Sequence, residues 1–343
     1  MTIDHYSTAT AMLEALRHRQ ISSVELVDMH IARIEELDGT LNAIPVRSFD
    51  RARQAAKQAD ERMAAGGTAP LLGLPMTLKE STLTAGLPQS AGIPRFKDYR
   101  PDVDGPIADS VFRAGVCLLG KTNIPFSLAD WQADSTIYGR TNNPWDLSRT
   151  PGGSTGGGGA ALAAGMTPLE VGSDIGGSIR VPAAYCGVYG HRPSETAIPR
   201  SGGFPTEDLP NPTFLMSVQG PLARSAVDLE LLFDVLMGPE PGEDAGWKLD
   251  LLAARRQRLA DFRIALLPPP MGVRASDSMQ SRLEALASWL SRQGAHVAEA
   301  APAFDMDEYF KDYLRLLSVM VTIDLPREER EAQAAKLRET GDP

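Results

Sequence analysis

The chain has 343 residues, 43% hydrophobic and 23% charged, which is enough apolar content for two or three domains or one large α/β unit and excludes disorder throughout. A formal net charge of −10 argues against a protein that tracks a nucleic-acid backbone or an anionic membrane, and with no apolar run of about 18 residues no membrane-spanning helix is expected. Two cysteines, Cys117 and Cys186, and five scattered histidines give neither a disulfide framework nor metal-ligand spacing, so neither metal nor cofactor is expected.

Residues 1–66 read as an N-terminal helical layer. The opening MTIDHYSTATAMLEALRHRQ lacks a basic leader followed by an apolar stretch, which predicts a cytoplasmic protein. Ser22 and Glu25 fit an S-x-x-E capping box; Leu26, Val27, Ile31, Ile34 and Leu37 follow at helical spacing towards a stop at Gly39. Asp50 to Ala65 reads as a second helix. From Leu71 the pattern changes to short apolar runs bounded by Gly and Pro, and 71–79, 115–120, 168–174 and 263–268 read as strands. Helical stretches at 225–237 and 277–293 alternate with them. The expected fold is therefore α/β, a central mixed sheet flanked by helices on both faces. A core over 67–238 and a C-terminal α/β portion over 239–343 are expected, with PEPGEDAGW (239–247) linker-like and the polar 326–343 a frayed helix or tail.

Residues 151–190 stand apart. They hold 12 of the 31 glycines and three charged residues, Glu170, Asp174 and Arg180. Two glycine-rich clusters, PGGSTGGGG (151–159) and GSDIGGSIRVP (172–182), each carry a serine flanked by glycine, Ser154 and Ser178. No lysine follows the glycines, so a P-loop is excluded, and no G-x-G-x-x-G occurs there. Gly152 to Gly156 satisfies G-x-S-x-G, the nucleophile elbow of α/β-hydrolases, with Asp208 and His296 as conceivable partners. On these residues alone, two glycine-rich turns packing helix against sheet account for the pattern equally well.

The wider context resembles the amidase signature family of serine hydrolases. The resembling stretches are PGGSTGGGGAALAAG, PLEVGSDIGGSIRVPAAYCGVYGHRP, the lysine-bearing GLPMTLKE (73–80), GKTNIPFSLADW (120–131), GRTNNPWD (139–146) and QGPLARSAVDLELL (219–232), in that family's order over about 70–235. The resemblance implies a Ser–cis-Ser–Lys triad: Ser178 the nucleophile, Ser154 the bridging serine in a cis peptide, Lys79 the base. It implies an oxyanion hole from Ile175, Gly176, Gly177 and Ser178. Asp174 and Arg180, the only opposite charges flanking Ser178, are expected to pair or to hydrogen-bond nearby backbone and so fix the loop. Thr155 stands where many relatives have a second serine, and Glu80 replaces a more frequent Asp.

That chemistry suits these residue types. A serine hydroxyl is a weak nucleophile and needs a base, and a lysine serves only when neutral, which burial favours. Leu74, Met76 and Leu78 precede Lys79, an apolar setting for one of only seven lysines. Cys117 and Cys186 read as core. Trp131, Tyr138 and Trp145 are candidates for lining the acyl pocket, and Phe204 and Phe214 for bordering its entrance. The implied activity is hydrolysis of carboxamide C–N bonds through an acyl-enzyme, with ester or carbamate side activity, on a small-molecule amide without cofactor or nucleic acid. The resemblance also implies a longer chain after the nucleophile than the 343 − 178 = 165 residues here. A catalytically impaired amidase-like fragment is therefore the alternative, and an exposed strand edge would favour homo-oligomers.

Overall fold

A computed structural model describes residues 2–205, 215–268, 273–322 and 326–340. The chain divides into two compact units, Met1–Leu249 and Asp250–Pro343. The first unit runs α1 (Ala9–Arg17), α2 (Ser23–Leu41), β1 (Val46–Arg47), α3 (Phe49–Ala64), β2 (Pro75–Lys79), α4 (Pro106–Arg113), β3 (Cys117–Thr122), β4 (Asp134–Ser135), β5 (Gly139–Arg140), α5 (Gly156–Ala163), β6 (Leu169–Asp174), α6 (Arg180–Cys186), β7 (Tyr189–Gly190), β8 (Val218–Ala223) and α7 (Ala226–Leu236). The second holds β9 (Arg263–Leu266), α8 (Asp277–Arg292), β10 (His296–Glu299), α9 (Met306–Thr322) and α10 (Arg327–Thr340), with β9 and β10 paired in parallel.

The capping box at α2 forms. Ser22 Oγ accepts from the Glu25 N–H at 3.1 Å, and the Glu25 carboxylate accepts from the Ser22 N–H at 2.8 Å. The expected stop at Gly39 does not: α2 continues to Leu41, and Asn42 ends it in the left-handed region at φ 52°. The short β1 also lies inside the stretch read as purely helical, and it pairs antiparallel with β3.

The sheet of the first unit has the order β1-β3-β2-β6-β8-β7. β2 lies parallel to both β3 and β6, whereas β8 runs antiparallel to β6, so the sheet is mixed as expected. Successive strand side chains point to opposite faces. Leu118 joins a core with residues of α1, α4 and α7, while Cys117 and Leu119 join another with residues of α2, α3 and α5. The two clusters are the helical layers on the two sheet faces.

The β2–β3 register shifts after Met76. Met76 pairs with Leu118 but Thr77 pairs with Gly120, so Leu119 is an extra residue in β3. Beyond it the alternation of β3 reverses relative to β2. Thr122 comes to stand beside Lys79, and Lys121 beside Leu78. The two buried lysines thus lie on opposite faces.

The run Gly156 to Gly159 is not a turn; it is the first half of α5. Glycine costs a helix about 1 kcal/mol per residue relative to alanine, so packing must require it. A Cβ on Gly157 would stand 2.6 Å from the Ala43 carbonyl oxygen and 2.8 Å from that of Asn123, both backbone atoms that cannot swing aside. Gly157→Ala is expected to destabilise the first unit by about 3 kcal/mol, read as a lower urea midpoint at unchanged m-value.

Candidate active site

The site forms where the parallel strands β2, β3 and β6 end. Lys79 closes β2, and Asp174 closes β6 and leads into the loop that carries Ser178. Ser154 sits two residues before α5, and the Gly153–Ser154 peptide bond is cis, as the resemblance implies.

Lys79 is wholly buried. Its Nζ donates to Ser154 Oγ at 2.7 Å and to Ser173 Oγ at 2.8 Å. Burial pulls its pKa down from 10.5 to about 7, against the pull of Asp174 and Glu170, which favour the ammonium. A large share of Lys79 is therefore neutral near pH 7. Ser154 is also fully buried, and Ser178 is nearly so. The Ser178 carbonyl accepts from the Thr155 N–H at 3.1 Å, which binds the Ser178 loop to the residue after Ser154. Among the described residues no side-chain hydrogen bond joins Ser178 to Ser154. The structure thus links Lys79 to Ser154 directly and ties the Ser178 loop to them through the backbone.

A family model described as Amidase matches residues 25–332. The chain belongs to the amidase family. It is 37% identical to an indoleacetamide hydrolase of Bradyrhizobium diazoefficiens over 287 residues, 83% of this chain and 54% of that protein. Among solved structures it resembles a bacterial aryl acylamidase of the amidase signature family (TM-score 0.81, 28% identity, 95% of this chain and 68% of that one). A 6-aminohexanoate cyclic dimer hydrolase gives a TM-score of 0.80 at 29% identity, covering 96% of this chain and 67% of that one. The chain spans 54% of the length of the indoleacetamide hydrolase and 64% of that of a putative amidase of Mycobacterium bovis, to which it is 35% identical over 320 residues, 89% of this chain.

Around Ser178 this amidase-family loop is organised by Asp174. Its buried carboxylate accepts from the N–H groups of Gly177 (2.9 Å), Ile179 (3.0 Å) and Arg180 (3.3 Å), and from Arg180 Nε (3.0 Å) and Nη2 (2.8 Å). Arg192 lies 3.7 Å away. Burial pushes the Asp174 carboxyl up, but the Arg180 guanidinium and the loop N–H groups outweigh it and hold it below the usual carboxylate range. Asp174 and Arg180 therefore pair as expected. The Gly177 N–H, one of the four expected oxyanion donors, points instead at Asp174. The Ile175, Gly176 and Ser178 N–H groups make no such bond. Thr155 packs against Gly172, where a Cβ would stand 2.6 Å from the threonine Cγ2.

The remaining candidates separate. Trp131 is half exposed and donates from Nε1 to the Gly176 carbonyl at 3.2 Å, so it borders the Ser178 loop. Trp145 donates to the Cys186 carbonyl at 2.7 Å. Tyr138 donates to Glu80 at 3.0 Å and acts as a strut. Glu80 also accepts from the Ser90 N–H (2.8 Å), the Ser90 hydroxyl (2.6 Å) and the Ala91 N–H (3.0 Å), so it pins the 88–92 loop. Cys186 is buried, and burial pushes its thiol up to about 12, which removes it as a rival nucleophile. Phe204 is half-buried, while Phe214 and Asp208 lie outside the described residues. Among the described residues no histidine hydrogen-bonds Ser154, and His191 packs edge-on against Phe233. No group of three His, Cys, Asp or Glu among the described residues could hold a metal ion, and none of their helices is long and apolar enough to cross a membrane.

Two site residues escaped the sequence reading. Ser173, the second acceptor of Lys79, was signalled only by its place in the GSDIGGS run. Glu170 was visible as one of three charges in a glycine-rich segment, which gave no hint of its partners.

Proposed function

We propose that this chain hydrolyses carboxamide C–N bonds through an acyl-enzyme on Ser178. The observation that carries the reading is the buried Lys79 amine 2.7 Å from Ser154 Oγ. Neutral Lys79 accepts the Ser154 proton as Ser154 takes the proton of Ser178, whose Oγ attacks the amide carbonyl carbon. The tetrahedral oxyanion collects N–H bonds from Ile175, Gly176 and Ser178, with Gly177 holding the loop through Asp174. Collapse breaks the C–N bond, and the leaving amine takes the proton returned through Ser154. Water then attacks the ester carbonyl by the same relay and frees the acid and Ser178. The substrate we propose is a small amide, in keeping with the indoleacetamide and aryl acylamide named for relatives; esters and carbamates fit the same relay. Two unpaired buried cysteines accord with a reducing compartment such as the cytoplasm.

Fluorophosphonate labelling followed by intact mass tests this. One adduct is expected on the wild-type chain and none on Ser178→Ala. An adduct that persists in Ser178→Ala would move the nucleophile elsewhere, with Ser154 the first suspect. No adduct on the folded wild-type chain would favour a catalytically impaired fragment.

A further inference from the structure

Glu170 has no part in the relay above, yet it lies at the centre of the elements that build it. Its side chain is wholly buried in β6, where the residue pairs with Thr77 of β2. One carboxyl oxygen accepts from the Thr77 hydroxyl and the other from the Thr122 hydroxyl, the latter at 2.8 Å. A single carboxyl therefore joins β2, β6 and β3. Thr77 precedes Lys79 by two residues on the same face of β2, and Thr122 pairs with Lys79 itself. The bulge at Leu119 is what turns Thr122 to this face.

The opposite side of the carboxyl is covered by α5. A Cβ on Gly158 would stand 2.6 Å from Glu170 Cγ and 2.8 Å from Cδ, so the helix that follows Ser154 rests directly on this side chain. Burial raises the Glu170 pKa to about 8, while the two threonine hydroxyls and Lys79 pull it down. The charged groups bearing on Lys79 are Asp174 and Glu170, both from β6, and α5 brings no titratable side chain to this face. Glu80, next in sequence, turns away to Ser90, Ala91 and Tyr138 and sits with Lys121.

An apolar residue of similar size would fill this space without the desolvation of a carboxyl, and such replacements are often neutral or stabilising. Stability therefore gives a weak account of Glu170, and its neighbours give a stronger one. We propose that Glu170 is a positioning residue: clasped between Thr77 and Thr122 beneath Gly158, its carboxyl sets the Lys79 amine against the Ser154 hydroxyl and adjusts the basicity of that amine through its charge. The proposal rests on the reading of Lys79 as the base.

The test is the pH dependence of the fluorophosphonate labelling rate, measured on wild type, Glu170→Gln, Glu170→Ala, Thr122→Val and Lys79→Met, with thermal unfolding as the check on folding. Glu170→Gln keeps the shape but cannot ionise, so the carboxylate that forms in wild type through about pH 8 and favours the Lys79 ammonium is lost. Its labelling rate is expected to reach the plateau roughly half a pH unit below where wild type does. Glu170→Ala removes the clasp as well, and its plateau rate is expected to drop about tenfold. Thr122→Val removes one hydroxyl that favours the carboxylate, so its inflection also falls; it carries the test should the Glu170 variants not fold. A purely structural residue would leave the inflection where it was. Coincident inflections and plateaus for wild type, Glu170→Gln and Thr122→Val, with Lys79→Met unlabelled, overturn this proposal alone. A Lys79→Met chain that labels like wild type overturns the reading of the base beneath it.

Discussion

Lys79→Met is expected to slow fluorophosphonate labelling by about a thousandfold, the scale on which a positioned general base contributes and on which members of a catalytic unit fail together. Methionine keeps the length and apolar stem of the side chain but offers Ser154 no proton acceptor. The wild-type rate should rise with pH through about 7, where Lys79 loses its proton, and this step should vanish in the variant. The same substitution has a second signature. The folded-state pKa of Lys79 lies below its ordinary 10.5, so between about 7 and 10.5 the unfolded chain binds a proton that the folded chain does not. Stability therefore rises with pH across that window. The contribution is complete above 10.5 and is lost as the pH falls through about 7. Urea midpoints at pH 7 and pH 9 should differ less for Lys79→Met than for wild type. A variant that keeps both the rate step and the stability slope would show that another group titrates.

Asp174→Asn is the second large effect. The carboxylate gathers three loop N–H groups and the Arg180 guanidinium with its two oxygens. An amide offers one oxygen and turns an NH2 group towards those donors. Breaking a buried ion pair on one side costs about 3–5 kcal/mol, but Arg180 is half exposed and water screens part of the loss, so about 2–3 kcal/mol is expected. The effect on the reaction should be larger than the effect on folding. With Gly177 released, the Ile175, Gly176 and Ser178 N–H groups lose their fixed direction, and labelling is expected to slow by about a hundredfold. Stopped-flow labelling at a temperature well below the midpoint of the variant separates the two. Because Asp174 is held below the usual carboxylate range, its contribution to stability is complete above pH 3.8 and is lost as the pH falls through its depressed folded-state value.

What could be read from the sequence was what local chemistry dictates. Strands form at or beside the stretches 71–79, 115–120 and 168–174, over 75–79, 117–122 and 169–174, because apolar runs bounded by Gly and Pro have few other solutions. Lys79, Ser154 and Ser178 could be picked out because several motifs stand in one order along the chain. The missed features depend on pairing. The glycine run 156–159 reads as a turn by propensity, and only the nearby backbone of Ala43 and Asn123 explains a helix there. β1 is too short to carry a periodic signal. The direction of the Gly177 N–H depends on where Asp174 turns its carboxylate, which spacing alone does not fix. Glu170 is the sharpest case, because its partners are 93 and 48 residues away.

The bulge in β3 gives this strand an unusual sensitivity to register. A β3 of the same length without the bulge would run in uninterrupted step with β2, pairing Leu119 with Thr77 and turning every residue beyond it to the other face. Lys121 would then be delivered into the layer that already holds the Lys79 amine, while Thr122, the partner of Glu170, would be carried out of it. Two amines would compete for one dry compartment, and repulsion between them would favour proton loss from both. The frame of this strand therefore works as an address, sorting two chemically identical side chains to opposite sides of one sheet so that a single amine meets the serines.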